Sequence, residues 1–181
     1  MKSKNPGNSK LTKLLKNKVI LITGGAGSLG SGLTKKLLDF PVKSIRILDN
    51  NEHSLFTLKR SLNDSRVRYL LGNILDKERI ELAGTGADIV IHTAAIKNIE
   101  ITEYNPIDTI NVNVNGTINM ITSVIKNNPK IFLNISTDKV ADSSTLYGNT
   151  KQLGERLTNW AGRHILTTKF ATVIGVFLCS S

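Results

Sequence analysis

The sequence predicts an α/β domain: a doubly wound parallel sheet with helices on both faces. Three observations carry that prediction. Six apolar, β-branched runs recur at regular spacing, segments with helical spacing separate them, and a glycine-rich turn follows the first run. Near-continuous apolar strands are buried on both faces, and their alternation with amphipathic helices is what a parallel sheet requires.

In chain order the strands are "KVILIT" (18–23), "SIRILD" (44–49), "RVRYLL" (66–71), "DIVIHT" (88–93), "KIFLNIS" (130–136) and "ILTTKFATVIG" (165–175). Helices are expected over 28–39, 51–62, 76–83, 104–127 and 146–162. The helix through "TINVNVNGTINMI" runs against propensity, because Asn, Val and Gly all disfavour it. Its length and apolar positions carry it. No internal repeat or low-complexity linker interrupts the chain. At 181 residues it is long enough for one domain and can bury roughly 70% of the surface its unfolded form exposes.

Residues 1–17 form a basic leader and 18–181 one dinucleotide-binding domain. The formal charge is +10, but six lysines and no acids lie in residues 1–18, so the remainder carries only +4. No aromatic residues interleave with those lysines, and no zinc or RNA-binding signature follows, so no nucleic-acid partner and no metal are expected. The leader is expected to be solvated, with a short amphipathic turn over "LTKLLKNK" (11–18). No apolar run approaches the roughly 20 residues of a membrane span, and no signal-peptide core is present. Cys179 is the only cysteine, so no internal disulfide can form and a cytoplasmic setting is expected.

The turn "TGGAGSLGSGL" contains Gly25-x-Gly27-x-x-Gly30 and equally Gly24-x-x-Gly27-x-x-Gly30. One glycine permits the tight turn. Gly27 lets backbone approach a pyrophosphate, and Gly30 lets the helix pack closely on the strand. The helix N-terminus then offers N–H groups to the phosphates. The motif follows a strand, opens a helix and precedes Asp49 at the next strand end, which is the context it needs. Asp49 is placed to accept from the adenosine ribose diol, and no arginine follows it for a 2′-phosphate. NAD is therefore favoured over NADP. Asp49 as N-cap of the helix from Asn51 is a compatible alternative. Asn73 is placed to meet the adenine edge, and "TAAIK" (93–97) is small enough for a cofactor to lie across it. The candidate cofactor-binding residues are Gly24, Gly27, Ser28, Leu29, Gly30, Asp49, Asn50, Asn73, Ile74, Ala94, Ala95 and Lys97, joined by Tyr147 and Lys151. Lys97 reads equally well as a solvated loop lysine.

The stretch "STDKVADSSTLYGNTK" (136–151) follows the fifth strand. Its first residues lie at the carboxyl edge of the sheet, where doubly wound folds bind ligands. Tyr147 and Lys151 share one helix face at i, i+4. The lysine charge is expected to lower the tyrosine pKa from about 10. Such a tyrosine can take a proton from an alcohol while a cofactor takes the hydride.

With "ITGGAGSLG", "HTAAIKNIEITEYNPIDTINVNVNGT", "STDKV" and "LYGNTK" in place, the chain resembles the extended short-chain dehydrogenase/reductases of the nucleotide-sugar type. It is most similar to the UDP-N-acetylglucosamine 4,6-dehydratases of polysaccharide biosynthesis, from about residue 12 onward. The resemblance implies a Rossmann-like sheet of order 3-2-1-4-5-6, bound NAD, a UDP-sugar substrate and a homo-oligomer assembled through helices of this domain. It implies that Tyr147 is the C4 base, aided by Lys151 and Thr137, that Lys139 takes the C5 proton, and that Asp138 assists water loss. A neutral Lys139 then requires burial and nearby positive charge. The Asp–Lys pair sets this group apart, since epimerases of the superfamily lack it and glucose-type dehydratases have Asp–Glu.

The chain also departs from the pattern. "LDNNE" (48–52) resembles the membrane-associated branch, whereas Tyr147 resembles the soluble inverting branch. Lys169, Ala171 and Thr172 differ from the usual last strand. Relatives continue for well over a hundred residues, so the resemblance implies C-terminal truncation with the substrate subdomain largely absent. Alternatives are a non-catalytic dinucleotide-binding module and an epimerase or reductase of the same superfamily.

Overall fold

The computed structural model describes residues 6–141 and 144–174, and the side chains from residue 9 onward within them. Cys179 and residue 175 of the expected sixth strand lie outside the described residues. Six strands form one sheet: β1 (Val19–Thr23), β2 (Ser44–Asp49), β3 (Val67–Leu71), β4 (Ile89–His92), β5 (Ile131–Ser136) and β6 (Lys169–Ile174). Their order is β3-β2-β1-β4-β5-β6, and each neighbouring pair is parallel. The expected fold class and order are met.

β1 is central and buried at every position. Its alternating residues feed two cores. Ile20 and Ile22 pack with Ile45, Ile47, Leu55 and Leu58 on one face. Leu21 packs with Val90, Met120, Val124 and Phe132 on the other. Full burial of a side chain of this size is worth about 1.5–3 kcal/mol, so a branched run with no polar interruption settles at the centre.

The flanking helices are α1 (Pro6–Leu15), α2 (Ser28–Leu37), α3 (Glu52–Leu62), α4 (Lys77–Gly84), α5 (Ile99–Tyr104), α6 (Pro106–Ile110), α7 (Gly116–Asn127) and α8 (Leu146–His164). Side-chain caps fix several starts. Asn51 accepts from Ser54 N–H, Asp76 from Arg79 N–H, Asn98 from Ile101 N–H and Thr145 from Gly148 N–H.

Two elements differ from expectation. Residues 11–15 of the short turn expected over 11–18 are the end of the ten-residue α1 (Pro6–Leu15). Its Leu15 is buried in the first core while Leu11 and Leu14 remain exposed, so an apolar anchor docks the leader on the domain. The expected helix over 104–127 is broken. α5 ends at Tyr104, Pro106 opens α6 at a first-turn position that needs no N–H, and Asn111–Asn115 form a π-helical turn before α7. The residues that opposed helix by propensity are those of the widened turn.

Candidate active site

A cleft of about 320 Å³ opens at the carboxyl ends of the strands, between β1 and β4 where the strand order reverses. Sheets of this type leave that crevice for ligands. Asp49, Asn50, Asn73 and Ile74 line one part of it. Gly24, Gly27, Ser28 and Leu29 line the middle with Ala94, Ala95 and Lys97, and Ser136, Tyr147 and Lys151 line the remainder.

The glycine loop is built as the spacing required. Gly24 has φ +64°, and a Cβ there would lie 2.6 Å from the Ala94 Cα. Both the turn and the close approach of β4's loop exclude a side chain. Gly30 is not in the cleft wall. A Cβ on it would meet the Gly25 Cα at 2.5 Å, so Gly30 brings α2 against the loop rather than touching a ligand. Gly27 is the N-cap of α2, with no side-chain cap and no acid in the first turn. The first N–H groups of a helix have no intrahelical acceptor. Here they carry a positive dipole end into the cleft, which fits a pyrophosphate.

Asp49 does more than end a strand. Its Oδ2 accepts from Ala26 N–H at 3.0 Å and its Oδ1 from Asn51 N–H at 3.0 Å. The carboxylate therefore ties the glycine loop to the start of α3. The N-cap of α3 is Asn51, not Asp49. A carboxylate has about four acceptor sites, so both oxygens retain capacity toward the cleft. Asn73 Oδ1 accepts from Leu75 N–H at 2.9 Å, which fixes the turn after β3.

The loop after β4 is held by Asn113, on the π turn. Asn113 Oδ1 accepts from Ile96 N–H at 2.8 Å. Its Nδ2 donates to Ile96 O at 2.9 Å and to Thr150 Oγ1 at 3.1 Å. One buried amide thus joins the cleft wall to α8. Asn113 was not predicted as a site residue. Its signal was the propensity conflict in "NVNVNG", since π turns concentrate at functional sites.

α8 presents the expected pair. Its N-terminus is fixed by Thr145 and by Glu103 of α5, whose Oε1 accepts from Leu146 N–H at 2.7 Å. Lys151 is buried, and burial above all, opposed by the Glu155 charge, brings its pKa down to about 8. The expected depression of the Tyr147 pKa is not found. Burial pushes the phenol up first, a hydrogen bond with the Thr137 side chain partly offsets this, and the Asp138 charge pushes it up further. Desolvation of the phenolate outweighs a lysine whose own charge is disfavoured by the same burial.

Thr137, Asp138 and Lys139 do not line the cleft. They stand beside it, where a 3₁₀ turn (Asp138–Ala141) leaves β5. Thr137 Oγ1 donates to Asp138 Oδ1 at 3.0 Å. Lys139 Nζ lies 3.6 Å from Asp138 Oδ2, with 51% of the lysine side chain and 60% of the aspartate exposed. The Thr137 hydroxyl first, and then the lysine charge, hold the Asp138 carboxyl below its usual range. The described residues do not supply the burial that a neutral Lys139 requires.

The model of the family described as polysaccharide biosynthesis protein matches residues 20–181. The chain belongs to that family. A Methanocaldococcus jannaschii protein described as a membrane protein is 42% identical over 148 residues, which is 82% of this chain and 44% of its own length. The UDP-N-acetylglucosamine 4,6-dehydratase (inverting) of Campylobacter jejuni subsp. jejuni is 36% identical over 170 residues, 90% of this chain and 51% of that one. The UDP-glucose 4-epimerase of Rickettsia prowazekii is 32% identical over 145 residues, 78% of this chain and 42% of that one. Among solved structures, Pen from Bacillus thuringiensis matches with a TM-score of 0.86 at 31% identity, over 88% of this chain and 50% of that one. The chain spans about half the length of the curated relatives it matches. Family membership meets the resemblance carried by the motifs. Among the described residues, no helix is long and apolar enough to cross a membrane.

Proposed function

We propose that this chain is the dinucleotide-binding half of an NAD-dependent nucleotide-sugar 4,6-dehydratase that acts on UDP-N-acetylglucosamine in surface-polysaccharide biosynthesis. The observation that carries the proposal is the Thr137–Asp138–Lys139 cluster beside the Tyr147–Lys151 pair, at the edge of a cleft whose residues fit a dinucleotide. The Campylobacter jejuni relative supports the choice of reaction.

In this proposal Gly24, Gly27, Ser28 and Leu29 hold the pyrophosphate. Asp49 and Asn50 meet the adenosine ribose, and Asn73 and Ile74 meet the adenine. Ala94, Ala95 and Lys97 form the wall across which the dinucleotide lies. NAD, when bound, supplies the acceptor and later the donor of a hydride. Tyr147 takes the proton of the C4 hydroxyl as its phenolate, which the Thr137 hydroxyl hydrogen-bonds and the Lys151 ammonium favours against the cost of burial. The C4 ketone acidifies the C5 proton. Lys139, half exposed in this chain, removes that proton once the bound sugar encloses it, and with Asp138 assisting the proton leaves with the 6-hydroxyl as water. C5 takes a proton from solvent, Tyr147 gives its proton back to solvent, and C6 gains the hydrogen that C4 lost, so that the net change is loss of water.

The test uses the chain joined to the C-terminal half of the Campylobacter jejuni relative. UDP-N-acetylglucosamine should yield a 4-keto-6-deoxy product, followed by NMR. Lys139→Ala should abolish water loss and C5 exchange while sparing transient NADH absorbance from C4 oxidation. Unchanged product formation in that variant would make Lys139 a surface lysine.

A second proposal, a sugar-nucleotide 4-epimerase, is favoured by the Rickettsia prowazekii relative. It predicts inversion at C4 with the 6-hydroxyl retained and no effect of Lys139→Ala. Both proposals share a cytoplasmic setting and a homo-oligomer. Ile118 and Ile125 on α7, with Leu153 and Trp160 on α8, are exposed and offer apolar surface to a second copy.

A further inference from the structure

Because neighbouring strands are all parallel, every segment that enters the sheet arrives at one edge, opposite the cleft. Cations gather along that amino edge. Lys18, Lys43, Arg66 and Lys130 each stand immediately before a strand, and Lys169 opens β6. Backbone bonds set them side by side: Lys43 N–H donates to Lys18 O, Lys130 N–H to Asp88 O and Lys169 N–H to Lys130 O. Three carboxylates lie in the loops of this edge. Asp64 pairs with Arg66 at 2.8 Å and Asp88 with Lys18 at 2.9 Å. That leaves Asp39 against Lys43, Lys130 and Lys169, all of them exposed.

The helix α1 extends the same edge. Just past its end, Asn17 N–H donates to Pro41 O in the loop before β2. Leu11, Leu14 and Leu15 share one helix face at i, i+3, i+4. Leu15 reaches the core, whereas Leu11 and Leu14 are each 47% exposed. Lys10, Lys13 and Lys16 flank them and are exposed. At the other end of the edge, in the turn between α8 and β6, Leu166 is 92% exposed.

Helix dipoles account for part of the charge, since α2, α7 and α8 end at this edge. They give no reason for leucines among the lysines, and burying those side chains would be favourable. The headgroup layer of an anionic bilayer takes both kinds of group at once. Leucines enter the acyl boundary, while lysines meet the lipid phosphates. A nucleic acid would engage the lysines and leave the leucines in water.

We propose that α1 and the amino edge of the sheet form a docking face for an anionic lipid surface, with Leu11, Leu14 and Leu166 as its apolar contacts. The cleft, at the carboxyl edge, then faces away from the membrane and stays open to soluble ligands.

Co-sedimentation of the 181-residue chain with vesicles of mixed phosphatidylglycerol and phosphatidylcholine, and with vesicles of phosphatidylcholine alone, tests this. Partition onto the anionic vesicles should be at least about tenfold stronger, and salt should weaken it. Lys10→Gln combined with Lys13→Gln should lower it about twentyfold, because each lysine near such a surface contributes roughly fivefold. Leu14→Ser combined with Leu166→Ser should lower it several-fold and leave binding to duplex DNA unchanged. Both variants replace exposed side chains, so each should melt within a few degrees of wild type. Wild-type chain that stays in solution beside anionic vesicles would overturn the proposal. So would full partition of the leucine variant, or tighter binding to duplex DNA than to the vesicles, which would make the edge a polyanion site.

Discussion

The Thr23 hydroxyl and His92 Nδ1 lie 2.7 Å apart, and the two residues are register partners across β1 and β4. The row continues in register through Asn134 of β5 to Thr172 of β6, so a polar seam crosses four strands just below the cleft. His92 Nε2 faces Thr117 Oγ1 at 3.3 Å. The ring is fully enclosed. Burial, and after it the Lys151 charge, bring its pKa down to about 3, so it is neutral at pH 7.

That relationship predicts an acid-labile fold. The unfolded chain's histidine titrates near 6.5, so between about pH 3 and 6.5 the unfolded state binds the extra proton. Stability is complete above that window and falls by roughly 1.4 kcal/mol per unit as pH drops through it. Urea unfolding at pH 4.5 should show about 2–3 kcal/mol less stability than at pH 7. His92→Gln should flatten the slope. An unchanged slope in that variant would assign it to other groups.

Lys151 predicts the opposite edge of the pH range. Its folded pKa of about 8 lies below the unfolded 10.5, so between them the unfolded state again binds the extra proton. Stability should rise as pH increases from 8 toward 10, by roughly 1.4 kcal/mol per unit. Lys151→Met should stabilise the fold at pH 7, because a buried charge is removed, and should erase the alkaline rise. It should also abolish activity of the extended enzyme, the trade expected where a site is strained for function. Denaturation profiles at pH 7 to 10 measure both effects on stability.

Asp49→Ala should cost affinity for both cofactors. It removes the acceptor for Ala26 and Asn51 N–H as well as the ribose contact. Asp49→Asn keeps one acceptor oxygen and loses the negative charge. It should therefore narrow the preference for NAD over NADP, expected at about tenfold or 1.4 kcal/mol in the parent, with less general loss. Fluorescence titration of the three proteins with both dinucleotides gives the comparison. Equal affinities in the parent would remove Asp49 from the ribose.

Asn113→Ala should destabilise the fold by about 2 kcal/mol or more, since it strands Ile96 N–H and C=O near the site. Asn113→Asp retains the acceptor and loses both donors, so it should not rescue. Hydrogen exchange at the Ile96 amide should speed up in both variants. Protection equal to wild type would show that the loop does not depend on the clamp.

The sequence by itself determined the six strands, their parallel pairing, the glycine turn and the helix carrying Tyr147 and Lys151. Those features rest on local demands: branched apolar runs that must be buried, a left-handed turn that needs Gly24, a spacing of four along one helix. The tertiary structure decided the rest. The break between α5 and α6 falls at Pro106, whereas the π turn carries Asn113 to Ile96, 17 positions earlier in the chain, and no local propensity encodes that partner. The choice of Ser136 over Thr137 for the cleft wall follows from strand alternation together with where α8 packs. The direction of the Tyr147 shift was misjudged from spacing for a related reason. Proximity to a lysine is visible in sequence, but the burial that disfavours charge on both groups appears only once α8 is seated on the sheet.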